Sequence, residues 1–185
     1  MSRSAPSVHR LRLSLVLGTS ALAWGLILPT DAQAQCAPDP AVADGTTICT
    51  GADTDGVQIT TPGTTLTVER DASVTNTTAP AIALDVPVGS YSYSSHVINI
   101  LGSVSAPGQT AITLSSGAAG VNSYYSTEQA SLTIAAGGSV TGVTALALLQ
   151  SPGNTFGTVY ANIDNAGTIT GTGGTALLGN VVYSV

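Results

Sequence analysis

One phrase is written four times along this chain, and that repetition limits what the chain can fold into. It is clearest over Asn165 to Leu178, and the copy that includes this stretch holds Ala161-Asn162-Ile163, Gly167-Thr168-Ile169-Thr170 and Ala176-Leu177-Leu178 in succession. Looser copies stand upstream. The first holds Leu66-Thr67-Val68, Ala72-Ser73-Val74-Thr75 and Ala81-Ile82-Ala83-Leu84. The second holds Ile98-Asn99-Ile100, Gly102-Ser103-Val104-Ser105 and Ala111-Ile112-Thr113-Leu114. The third holds Leu132-Thr133-Ile134, Gly138-Ser139-Val140-Thr141 and Ala145-Leu146-Ala147-Leu148. The aligned residues Val74, Val104, Val140 and Ile169 are 30, 36 and 29 residues apart.

A period near thirty with three short alternating pieces per copy predicts a parallel β-helix, in which the chain coils and stacks on itself. Each turn adds about 4.8 Å of height. The alternation sends Val, Ile and Leu into a shared core and leaves Thr and Ser outside. Ile163, Ile169 and Leu177 are expected to point inward, and Gly and Ala at the corners to allow sharp bends. The fold class is therefore all-β, a right-handed parallel β-helix of about four to five turns. A β-sandwich is the alternative, since it also uses short strands punctuated by turns. Such folds do not usually repeat one phrase at corresponding points of every unit.

The chain begins with Arg3, Arg10 and Arg12 followed by an apolar run from Leu13 through Leu28. With Ala32-Gln33-Ala34 behind it, this reads as a secretory signal peptide over 1–34, cleaved after Ala34 and implying export through the Sec pathway. The run is too short and too interrupted by Gly and Thr for a membrane span. Removing it leaves Arg70 as the one basic residue against nine acidic ones, a net charge of −8. Such a chain cannot neutralise phosphates, which excludes nucleic acid and anionic membrane surfaces as partners.

Residues 35–63 form an atypical N-terminal segment with Pro38, Pro40 and Pro62, read as a cap and opening turn ahead of the repeats over 64–185. Short alternating runs at Thr47-Ile48-Cys49-Thr50 and Val57-Gln58-Ile59-Thr60 fit strands there. Cys36 and Cys49 are the only cysteines and are destined for an oxidising compartment, so a disulfide across the cap is expected. A lipidated Cys36 would need a different box before it, and two thiols with no nearby His make a poor metal site.

The Gly-Thr-Ile-Thr-Gly-Thr-Gly-Gly-Thr-Ala-Leu phrase over 167–177, with its copies at Ala72, Gly102 and Gly138, resembles the passenger domain of bacterial autotransporters. The Ile48-Cys49-Thr50-Gly51 phrase behind a signal peptide is similar to the start of such passengers. The resemblance implies a β-helical stalk shown at the cell surface or outer membrane of a Gram-negative bacterium, or released from it. It also implies a C-terminal β-barrel translocator, which the chain departs from: no set of roughly ten-residue amphipathic strands for a barrel precedes Val185. The repeat region is therefore expected to be truncated relative to such proteins.

Few residues suit chemistry. His96 begins a strand, where a solvated side chain is the expectation, and no nucleophile-elbow phrase accompanies it. Asp53 and Asp55, in Asp53-Thr54-Asp55-Gly56, are the candidates for a Ca²⁺ site or for a glycosidase acid and base, against a solvated Asp-Gly turn. Tyr91 and Tyr93, and Tyr124 and Tyr125, lie in Ser- and Asn-rich stretches at corresponding places in successive copies. They either line one edge as contacts for sugar or protein or extend the neighbouring strands and cover core. The expected function is a non-enzymatic stalk or adhesin without cofactor or metal, its partners a glycan or protein on a host or neighbouring cell. The other reading is an extracellular polysaccharide-acting β-helix enzyme using Asp53 and Asp55.

Overall fold

The computed structural model describes residues 35–87, 92–116, 126–150 and 157–179. The expected signal peptide with its cleavage at Ala34, and Tyr91, Tyr124 and Tyr125, lie outside the described residues. Within the described residues there are thirteen β-strands and no helix. A first pass contains β1 (Cys36–Ala37), β2 (Thr46–Cys49), β3 (Ala52–Asp53) and β4 (Val57–Ile59). A second contains β5 (Thr65–Val68), β6 (Ser73–Thr75) and β7 (Ile82–Leu84). Three longer turns follow: β8 (Ser92–Ile100) with β9 (Ser103–Ser115), β10 (Ser126–Ile134) with β11 (Ser139–Leu149), and β12 (Gly157–Asn165) with β13 (Thr168–Gly179).

Apart from β1, which runs antiparallel to β2, these strands stack in parallel into two sheets, which is the arrangement of a β-solenoid. One sheet has the order β1-β2-β5-β8-β10-β12, and the other β13-β11-β9-β6-β3, with β4 and β7 stacked beside β9. The repeat sets the register. Val74 lies on Val104, Val104 on Val140 and Val140 on Ile169. Ile82, Ile112, Leu146 and Leu177 form a second column of the same kind. The long-stranded part amounts to about three full turns, slightly fewer than the four to five read from the repeat, because the first two passes are made of two- to four-residue strands.

Two details differ from the expected three pieces per turn. In the long turns the second and third pieces fuse into one strand with a register irregularity between Gly142 and Thr144. In the second pass they remain apart, because the Asn76 side chain accepts hydrogen bonds from the Thr78 and Ala79 backbone N–H groups and builds a turn between β6 and β7. The residues at that place in later turns are Ala106, Gly142 and Gly171, which make no such turn. The other difference is the last copy, where Leu132 stacks on Ile163 and Ile134 on Asn165, two residues away from the alignment of the written phrases. A shift of two preserves which side chains face inward. It also sets a larger residue, Ile163 rather than Ala161, over Leu132.

The corner between the sheets is built on Ala72 in the first copy and on glycine in the three that follow. Ser103 N–H donates to Ala72, Ser139 N–H to Gly102 and Thr168 N–H to Gly138, so the corners themselves are linked turn to turn. A Cβ on Gly138 would lie 2.4 Å from the Ile100 carbonyl oxygen, and one on Gly167 would lie 2.3 Å from that of Gly138. Only glycine lets the backbone approach this closely.

Between the sheets runs a column of Leu66, Val68, Ile98, Ile100, Leu132 and Ile134 facing Val74, Val104, Val140, Ile112, Leu114 and Leu146, all buried. Each such side chain contributes about 1.5–3 kcal/mol through removal from water. Ile163 and Ile169 are partly buried and pack on this core, whereas Leu177 stacks above Leu146 but stays 55% exposed. The expected inward burial of Leu177 is thus not reached, because no described strand covers β13 on its far side. Leu132→Ala should accordingly lower the unfolding free energy by about 2–5 kcal/mol, while Leu177→Ala should change it by no more than about 0.5 kcal/mol. Urea denaturation followed by far-UV circular dichroism measures both.

Candidate functional site

Strand parity decides where each polar side chain goes. On β8 the even-numbered residues from Ser94 to Ile100 face inward, and on β10 those from Glu128 to Ile134 do the same. Ser94 and Glu128 are direct neighbours on adjacent turns. His96, one step further along β8, reaches both: its Nε2 is 3.0 Å from Ser94 Oγ and 3.2 Å from Glu128 Oε2. Ser94 Oγ also donates to Glu128 Oε2. His96 and Glu128 are fully buried, which overturns the expectation of a solvated histidine. The cause is that His96 shares its parity with Ile98 and Ile100, so its position in the strand overrides its polarity.

The cluster contains the residue types of a hydrolase triad but lacks its wiring. A triad places serine on one imidazole nitrogen and the acid on the other, so that a proton can pass along the ring. Here serine and carboxylate crowd the same nitrogen. His96 Nδ1 and Glu128 Oε1 have no hydrogen-bond partner among the described residues. Among the described residues the arrangement supplies no proton relay. It is a pair of mutually dependent polar groups in an aliphatic interior, where truncating either one strands the other.

The carboxylates of the N-terminal end make a second cluster. Asp53 is buried on β3, its Oδ1 accepting from Gly56 N–H at 2.8 Å and its Oδ2 from Cys36 N–H at 3.2 Å. Asp55 and Asp39, both exposed, bring carboxylate oxygens to within 4.8 Å of it and of each other. Asp39 was not anticipated from the sequence, since it sits in the proline-rich segment that carries no period. Ca²⁺ takes six to eight oxygen ligands. Three carboxylates fall short of such a shell by themselves, and both Asp53 oxygens already accept from backbone N–H groups, so Asp53 fixes the loop while Asp39 and Asp55 stand exposed beside it. Loss of hydration pushes the Asp39 carboxyl above its ordinary value near 3.8, the Gln58 backbone N–H opposes this, and the neighbouring Asp53 and Asp55 add to it.

Cys36 and Cys49 are joined by a disulfide and lie opposite each other on the antiparallel pair β1–β2. They fasten the segment whose Cys36 N–H holds Asp53. Arg70, with Glu69, Asp71 and Ala72, lines a shallow depression of about 290 Å³ against Thr50 and Gly51.

Of the four tyrosines singled out in the sequence, Tyr93 is described, on the outer face of β8 and 65% exposed. Its Oη donates to Gln129 Oε1 on the next turn. Gln129 in turn is the direct neighbour of Tyr160 on β12, which is 45% exposed. Parity alone would have found Gln129 and Tyr160, since both alternate with buried residues. No protein-family model, curated protein or solved structure matches this chain, so its chemistry is read from these sites alone.

Two measurements check this description. Glu128→Ala should lower stability by about 3–5 kcal/mol, and the double replacement His96→Leu with Glu128→Leu should restore most of the loss, both read from urea midpoints. Asp39→Asn should stabilise the protein at pH 7, and the gain should vanish below about pH 3.8. The sign follows because a raised folded-state value makes ionisation of Asp39 unfavourable to the fold, an effect that sets in as pH rises from 3.8 through the raised value. Thermal unfolding of both proteins from pH 3 to 7 reads the difference.

Proposed function

We propose that this chain is a non-enzymatic β-solenoid that acts as a stalk or adhesin, exported by its N-terminal segment and carried to the bacterial surface as an autotransporter passenger. The observation that carries the reading is the separation of inside from outside. The chemically versatile side chains Ser94, His96 and Glu128 are enclosed in the core, while Tyr93 and Tyr160 stand on rigid strands facing water. Large aromatics presented on paired strands suit recognition, because little ordering is left to be done on contact. The signal-like start, the absence of Lys and the resemblance of the repeat to autotransporter passengers point the same way. The partner would be a glycan or protein on a host or neighbouring cell, and the carrier an outer-membrane barrel.

The rival reading is a polysaccharide-acting enzyme, and the approach of Asp39 to Asp53 and Asp55 favours it over what the sequence suggested. Its central acid, however, is 1% exposed and held at both oxygens by backbone N–H groups. A general acid or nucleophile must reach its substrate. Beads coated with the purified chain should be retained on cell monolayers above the level of albumin-coated beads, and the chain should release no reducing sugar from soluble polysaccharides. Retention no better than albumin would sink the adhesive reading, and sugar release that disappears in Asp53→Asn would replace it with the enzymatic one.

A further inference from the structure

The outer face of the sheet formed by β8, β10 and β12 contains a small platform that no part of the fold requires. Ser95, Gln129 and Tyr160 are consecutive neighbours up three turns, and Tyr93 lies one outward position before Ser95 on β8. Gln129 therefore stands between two exposed tyrosines. Its Oε1 accepts from Tyr93 Oη, which holds that ring, and its amide N–H groups donate to no described residue. Asn162 continues the outward row of β12 beyond Tyr160, next to the partly exposed Val97 and Ser131 columns.

We propose that this platform binds a neutral glycan chain, with Tyr160 and Tyr93 as stacking planes and Gln129 and Asn162 as hydrogen-bonding groups to sugar hydroxyls. The proposal rests on the adhesive reading and gives it a ligand class and a site. Three physical features select the occupant. Turn spacing of about 4.8 Å and strand rise of about 3.3 Å per residue put the two tyrosine Cα atoms about 12 Å apart, a span bridged by a short run of sugar rings rather than by one. The faces of sugar rings carry C–H groups that pack against aromatic planes, while their edges carry hydroxyls that need donors and acceptors such as amides. Charge narrows the choice further. Asp164 and the inward Glu128 are the only acidic residues of the three strands, and the outward side offers no cation. An anionic glycan would meet repulsion and no counter-charge, whereas a neutral one meets no such repulsion. A protein partner would bring a larger apolar area than two separated rings can cover.

The test is affinity electrophoresis of the purified chain in native gels containing xyloglucan, glucomannan or hydroxyethyl cellulose, with the anionic polymer alginate as comparison. At least one neutral polysaccharide should retard the parent, and alginate should not. Tyr93→Ala and Tyr160→Ala should each weaken that retardation by about tenfold in apparent affinity, and Val143→Ala, an exposed position on the other sheet, should leave it unchanged. Circular dichroism establishes that the tyrosine variants are folded, as their outward positions predict. Retardation by none of the three neutral polymers, equal retardation by alginate, or retardation indifferent to both tyrosine variants would overturn the proposal. Cell retention separates this from the broader reading: a parent that binds cells but is retarded by no neutral polymer refutes the platform and leaves adhesion standing, whereas a parent that binds no cells refutes adhesion itself.

Discussion

Backbone hydrogen bonds between successive turns are the interaction on which everything else in this protein depends. Each turn satisfies its N–H and C=O groups on the turns above and below, so the height, register and facing of one turn are inherited by the next. The aliphatic columns through Val74 and Ile82 are consequences of that inheritance. So are the glycines at the corners, where Gly102 and Gly138 accept from the following turn and no Cβ fits. The N-terminal end is finished by a different device. There β1 runs antiparallel to β2 and is fixed by the Cys36–Cys49 disulfide, so the edge of β2 is covered by a strand that breaks the parallel pattern. Edge strands left bare invite pairing with other chains.

The columns and facings were legible in the sequence because both follow from periods, thirty residues for the turn and two for the strand. Val74, Val104, Val140 and Ile169 align from the repeat alone, and they do stack. What was not legible depended on single local competitions. Whether two short strands fuse or stay apart turns on one side chain, the Asn76 amide that caps its own turn against the silence of Gly142 in the same place. The two-residue offset of β12 was hidden for another reason. A period of two cannot tell Ala161 from Ile163 as the residue over Leu132, and only packing volume chooses.

The same contrast runs through the candidate sites. Taken one at a time by their chemistry, His96 reads as solvated and Glu128 draws no notice. Taken by parity with Ile98, Ile100, Leu132 and Ile134, both point into the core, and their adjacency on neighbouring turns follows from the register. The pair was therefore present in the sequence but visible only to the periodic reading. Asp39 was beyond either approach, because the proline-rich segment that brings it to Asp53 has no period and is positioned by contacts such as Asp53 with Cys36 N–H.

A solenoid of this kind divides its residues into two populations with different freedom. Inward residues touch the turns above and below, so a change at Leu132 or Glu128 is felt by two neighbours at once, and chemistry placed there is shielded from any ligand. Outward residues such as Ser95, Gln129 and Tyr160 are held in place by the backbone ladder, and beyond the Tyr93–Gln129 hydrogen bond their side chains are replaceable without disturbing it. Recognition, under the proposed reading, must be carried by the outward population, since it alone meets a partner. The ladder then supplies what isolated side chains lack: fixed spacing between turns, and therefore a ruler along which an extended ligand is measured.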